Sequence, residues 1–95
     1  MPTFAYAWVP PHTPSVIQPS DFPTAIDHLY VDQCSFVDER VERQRLLQTC
    51  TQRTPDAVQV RQSGELGRTL AEVVTAIQSL EAVGVKVTAL DGSYI

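Results

Sequence analysis

Ser63-Gly64-Glu65-Leu66-Gly67-Arg68-Thr69-Leu70 decides the fold, because it closes one β-prone run and opens the most regular helical pattern of the chain. Thr69 is followed three residues later by Glu72, the spacing of a capping box in which each side chain satisfies a backbone N–H at a helix start. Leu70, Val73, Val74, Ile77 and Leu80, extended by Val83, then recur at helical spacing and predict one apolar face. Gly84 predicts the end of that helix, since glycine enters the left-handed region without steric penalty. The alternating run Val85-Lys86-Val87-Thr88-Ala89-Leu90 reads as a strand, and strand, helix, strand in this order predicts a parallel, right-handed crossover.

Working outward, Thr3 to Val9 is β-prone, with Phe4, Tyr6 and Trp8 on one face and Ala5, Ala7 and Val9 on the other. Apolar groups on both faces fit a central strand covered on both sides. Pro10, Pro11, Pro14, Pro19 and Pro23 follow and exclude a long helix there. A short helix capped by Ser20 or Asp21 and running to about His28 is the expectation, with His28 near its C-terminal end. Leu29-Tyr30-Val31-Asp32 is a short strand. Asp38 is placed to cap a second helix carrying Val41, Leu46, Leu47 and Cys50, which should end before Thr54-Pro55-Asp56. Ala57-Val58-Gln59-Val60 is the third strand and leads back to Ser63. The whole predicts an α/β fold: a small three-layer parallel sheet of about four strands in a single domain, residues 1–95.

Leu66-Gly67-Arg68-Thr69-Leu70 and Leu80-Glu81-Ala82-Val83-Gly84-Val85 together resemble the Leu-Gly-Arg-Ser-Leu and Leu-Glu-Ala-x-Gly-Val segments of serine recombinases, the resolvase and invertase family. Phe4-Ala5-Tyr6-Ala7-Trp8-Val9 is similar to that family's opening strand, and Glu39-Arg40-Val41-Glu42-Arg43-Gln44-Arg45-Leu46-Leu47 to its Asp-Arg-Pro-Glu-Leu-Gln-Arg helix. The resemblance implies a resolvase-like fold and DNA cleavage by a serine hydroxyl that attacks a phosphodiester while arginines neutralise the charge that develops. The family's long dimer helix and DNA-binding domain would follow Tyr94-Ile95, and the chain is expected to lack both.

The reactive positions depart from that pattern. Pro10 stands where the family has its serine, and Trp8 where it has an arginine. Gly64 and Glu65 replace its Asp-Arg pair, and the second change reverses the charge beside the reacting phosphate. At a few ångströms and intermediate dielectric that reversal is worth on the order of several kcal/mol against binding and turnover. Arg40, Arg68 and Thr69 remain as candidate anion-binding remnants. The alternative for the two arginines is an ordinary ion pair, Arg68 with Glu65 or Glu72 and Arg40 with Asp38 or Glu39. Thr13 and Ser15 are the hydroxyls that a shifted register would offer in place of Pro10.

Composition bounds the rest. A net charge of −4 disfavours broad phosphate-backbone binding, although six of the seven Lys and Arg residues fall between Arg40 and Arg68. Cys34 and Cys50 lack metal-ligand spacing and read as buried free thiols of a reducing cytoplasm. No metal site, nucleotide loop or cofactor motif is present: Gly64-x-x-Gly67-Arg68-Thr69 is too short for a phosphate-binding loop, and nothing pairs His12 or His28 with a cysteine. No apolar run approaches a membrane span. The reading is a catalytically inactive serine-recombinase-like domain retained as a protein-binding or self-associating module. The alternatives are a DNA-binding accessory using Arg40, Arg43, Arg45, Arg53, Arg61 and Arg68, and an active recombinase fragment.

Overall fold

The computed structural model describes residues 2–12, 17–35 and 39–90. The elements run β1 (Thr3–Val9), β2 (His28–Gln33), α1 (Val41–Gln52), β3 (Ala57–Val60), α2 (Leu70–Ala82) and β4 (Lys86–Ala89), with single 3-10 turns at Pro19–Asp21 and Ser63–Leu66. The four strands form one sheet in the order β2-β1-β3-β4, with every pairing parallel. β1 is therefore central, as its two apolar faces required.

Strand order and handedness together decide where the helices go. The step from β1 to β2 runs opposite to the steps from β2 to β3 and from β3 to β4. With right-handed crossovers, the first connection must pass over one face, and α1 and α2 must share the other. The packing agrees. Leu46 and Cys50 of α1 and Val73, Ala76 and Leu80 of α2 join Tyr6, Tyr30, Val58 and Val60 in one buried cluster. Partners in register share a face, so Phe4, Tyr6 and Trp8 look the same way as His28, Tyr30 and Asp32 on β2 and Val58 and Val60 on β3. On the opposite face Ala5 and Ala7 are fully buried. The segment 17–27 crosses that face: the Gln59 amide donates to the Thr24 hydroxyl.

α2 begins and ends as its sequence dictates. The Thr69 hydroxyl accepts from the Glu72 amide at 3.2 Å. Gly84 has φ +86°, the Val85 amide donates to the Leu80 carbonyl at 3.0 Å and the Gly84 amide to the Glu81 carbonyl at 3.0 Å. This is the paired closure of a Schellman motif. The buried stripe is shifted, however. Leu70, counted with the apolar face, is 69% exposed, and Ala76 takes a place in the core instead. Leu70 is the first helical residue, and the buried stripe of α2 begins one turn later, at Val73.

Three local expectations need correction. The short helix from Ser20 or Asp21 to His28 is a single 3-10 turn, Pro19–Asp21, introduced by Gln18. Asp21 folds back to accept from the Gln18 amide at 2.8 Å, which closes the turn rather than propagating it. His28 begins β2 and packs 4.3 Å from the Tyr30 ring and 6.0 Å from that of Phe4. Val41, assigned to the stripe of α1, is 52% exposed, because α1 buries Leu46 and Cys50. Cys34 and Cys50 are both free, but only Cys50 is buried, and burial pushes its thiol up to about 11, while Cys34, just after β2, is half-buried. No described helix is long and apolar enough to cross a membrane.

Candidate functional site

Parallel sheets of this kind bind ligands outside the carboxyl ends of the strands, where the strand order reverses. Here that point lies between β1 and β3, and a cavity of about 340 Å³ occupies it, lined by Trp8, Pro10, Arg61, Gln62 and Glu65. Three of the four residues that depart from the recombinase pattern, Trp8, Pro10 and Glu65, are thus brought together. The fourth, Gly64, is exposed and has open space around it.

Glu65 organises this end of the sheet. The register of β1 with β3 stops at Tyr6 and Val60, and side chains then take over the role of the ladder. The Trp8 amide donates to Glu65 Oε2 at 2.9 Å, and Arg61 donates to the Trp8 carbonyl at 3.2 Å. Arg61 also grips the Glu65 carboxylate with two donors, at 2.7 and 3.2 Å, and the Gln62 amide donates to Oε1 at 3.1 Å. The local cause is the 3-10 turn Ser63–Leu66, which folds Glu65 back over Gln62, and the four-residue spacing that places Arg61 beside it. Only 7% of Glu65 is exposed, so its carboxylate is buried and fully hydrogen-bonded.

A second carboxylate joins β2 to α1. Asp32, buried at the end of β2, accepts from the Tyr6 hydroxyl at 2.7 Å, the Glu42 amide at 2.9 Å and the Arg43 amide at 3.0 Å. It thereby caps α1 from outside the helix, where an anion is favoured by the free amides and the helix dipole. Arg40 occupies the cap position of α1 and makes no side-chain cap hydrogen bond, while Asp38 lies outside the described residues. Burial, with the Asp32 carboxylate beside it, holds the Tyr6 phenol well above its ordinary range.

The arginines are drawn inward by carbonyls. Arg40, 4% exposed, lies 4.9 Å over the Trp8 ring and donates to the Glu65 carbonyl at 2.7 Å. Arg43 donates to the Leu66 carbonyl and, at 3.0 Å, to that of Glu72. Arg40, Arg43 and Arg68 line a second cleft of about 170 Å³ together with Glu39, Gln44 and Glu72. Of the two ion pairs open to Arg68, the fold selects Glu72: guanidinium to carboxylate distances are 3.0 and 3.3 Å, and the Arg68 amide donates to the same carboxylate at 2.7 Å. This corrects the capping box, since the Glu72 carboxylate reaches back to Arg68 rather than to Thr69. Hydrogen bonds from Arg68 hold the Glu72 carboxyl down to about 2 and push the Arg68 guanidinium up. The three candidate anion-binding residues Arg40, Arg68 and Thr69 therefore stand at one end of the molecule, where Glu72 already engages Arg68 and Thr69.

Gly67 makes the crowding possible. Its backbone is extended, φ −170°, but a Cβ there would lie 2.6 Å from Glu72 Cβ and 2.8 Å from the Val73 amide nitrogen. Close approach of the turn to α2 is what excludes a side chain. Thr13 and Ser15, the alternative hydroxyls, lie outside the described residues. Among the described residues no cluster of His, Cys, Asp or Glu has the makings of a metal site.

The sequence offers Arg43 and Arg61 only as candidate DNA contacts and Asp32 only as a strand residue, not as the joints of this end of the molecule. Each left a signal: a lone acid ending an apolar strand, an arginine on the inner side of α1, and an arginine four residues before Glu65. No family model matches the chain, and no curated protein matches it. Solved structures do. The C-terminal catalytic domain of ISC1926 TnpA, an IS607-like serine recombinase, superposes with a TM-score of 0.73 at 16% identity, over 95% of this chain and 70% of that one. The first open reading frame of transposon ISC1904 from Sulfolobus solfataricus P2 superposes with a TM-score of 0.78 at 15% identity, over 99% and 70%. This chain has the fold of a serine recombinase catalytic domain, as its Leu66–Leu70 and Leu80–Val85 segments implied.

Proposed function

We propose that the chain is a catalytically inactive counterpart of the serine recombinase catalytic domain and acts in a recombination or transposition system as a protein-binding or self-associating module. The observation that carries this reading is the end of β1. Pro10 supplies no hydroxyl where the resemblance puts the nucleophile, and the buried Glu65 carboxylate lies where a phosphate would need positive charge. Two further features support assembly. Among the described strands β2 and β4 each pair on one side only, and Val41 and Leu70 expose large apolar side chains at the starts of their helices.

Incubation with supercoiled plasmid followed by denaturing electrophoresis is expected to give no protein–DNA adduct and no strand breaks. A covalent adduct overturns the inactivity. Sedimentation of the purified chain is expected to show concentration-dependent association that Leu70→Asp weakens, and a strict monomer that captures no recombinase subunit overturns the module.

The second reading, a DNA-binding accessory, is favoured by the crowding of six cationic residues between Arg40 and Arg68. Against it, Arg43, Arg45, Arg61 and Arg68 each bond a carboxylate or a carbonyl. A mobility shift at low salt that vanishes as salt is raised is the result that would favour it.

A further inference from the structure

We propose that the end of the sheet between β1 and β3 is a small-oxyanion site that the chain keeps occupied with its own Glu65 carboxylate. The donors come from two parts of the chain, β1 and the residues just before the turn, and converge on one carboxylate: the Trp8 amide at 2.9 Å, the Gln62 amide at 3.1 Å, and two Arg61 guanidinium nitrogens at 2.7 and 3.2 Å. Both carboxylate oxygens are engaged and the residue is 7% exposed, so it is bound as a ligand is bound. A guanidinium fork with backbone amides beside it is the donor set that planar and tetrahedral oxyanions prefer.

The site has an entrance. Glu65, Arg61 and the Trp8 residue line the 340 Å³ cavity at the switch point of the sheet, so an anion reaching that cavity arrives beside the same donors. Glu65 needs no diffusion to fill it. A tethered group competes at an effective concentration of roughly millimolar or more, and free anions are held off by that alone. The wild-type protein is therefore closed to small oxyanions, and displacement or removal of one side chain opens it. This inference does not depend on the protein-binding reading and concerns inorganic phosphate and acetate as representatives of the class.

The test is titration of wild type, Glu65→Ala and Glu65→Gln with inorganic phosphate and, separately, acetate, followed by the amide resonances of Trp8 and Gln62. Glu65→Ala is expected to bind phosphate at least about tenfold more tightly than wild type, given the competition it removes. Glu65→Gln, which keeps the shape and replaces the charge with a neutral amide, falls between them. Adding Arg61→Gln to Glu65→Ala abolishes the gain. Acetate binding alone assigns the site to carboxylates and phosphate binding to tetrahedral anions, and either supports it. A variant that folds only when the anion is added also supports it. Folded variants that bind neither anion better than wild type overturn the proposal, as does failure of both single variants to fold at high phosphate.

Discussion

Asp32 and Glu65 are both acids with less than a tenth of their surface exposed, both at the carboxyl end of a strand region, yet they are neutralised in different ways. Asp32 has neutral partners, the Tyr6 hydroxyl and two amides at the start of α1. Glu65 has a guanidinium, and the side chain of Arg61 is 38% exposed. A helix start compensates one buried charge inside the core, and a half-exposed ion pair compensates the other at its rim. The first should be costly to disturb and indifferent to salt, the second cheaper and salt-sensitive.

The largest effect expected is that of Asp32→Ala. Loss of the cap costs about 0.5–2 kcal/mol, and the Tyr6 hydroxyl left unpaired adds about 1–3. Urea unfolding should therefore show a loss of about 3 kcal/mol, unchanged in 1 M salt, and Tyr6→Phe should relieve about 1 kcal/mol of it in a double-mutant cycle. If the two substitutions add without coupling, Tyr6 and Asp32 do not form one buried unit.

Gly67→Ala comes next, at about 2 kcal/mol, the usual range for forcing a methyl group into a packed site. Its Cβ must displace the first turn of α2, so protection of the Glu72 and Val73 amides from hydrogen exchange should fall with it. Gly64→Ala, in open space, should leave the same amides protected and serves as the control.

Glu65→Gln should cost about 1 kcal/mol in low salt and clearly less in 1 M salt, because its partner is partly solvated. A loss as large and as salt-independent as that of Asp32→Ala would erase the contrast between the two junctions. The smallest effect concerns Glu72, another acid at the rim. Its carboxyl is held down to about 2 from an ordinary 4.5, so the unfolded chain takes up the proton first as pH falls. The stabilisation by Arg68 is thus complete above about 4.5 and lost as pH drops toward 2. Glu72→Gln should flatten the acid limb of the thermal midpoint over that window, and an unaltered limb would show that the Arg68 pair does not report there.

These junctions also separate what was readable from what was not. β1 and β3 are legible residue for residue, because Thr3 to Val9 and Ala57 to Val60 are β-prone runs bounded by proline or charge. α2 was bounded by its cap and by Gly84, both local signals. Arg61 with Glu65 and Arg68 with Glu72 lie four residues apart, within reach of a sequence argument. Asp32 with Tyr6, 26 residues apart, was not, because nothing local distinguishes an acid that will cap a distant helix from one that ends a strand in solvent.

The sequence by itself determined the strands and the two long helices, since each rests on residue type and short-range spacing. The tertiary structure alone decided the strand order β2-β1-β3-β4, the reach of Asp32 to Tyr6 and α1, and which carbonyls Arg40 and Arg43 would claim. Handed crossovers and the need to satisfy every buried polar group act between segments far apart in the chain, and only the folded arrangement brings those segments within hydrogen-bonding distance.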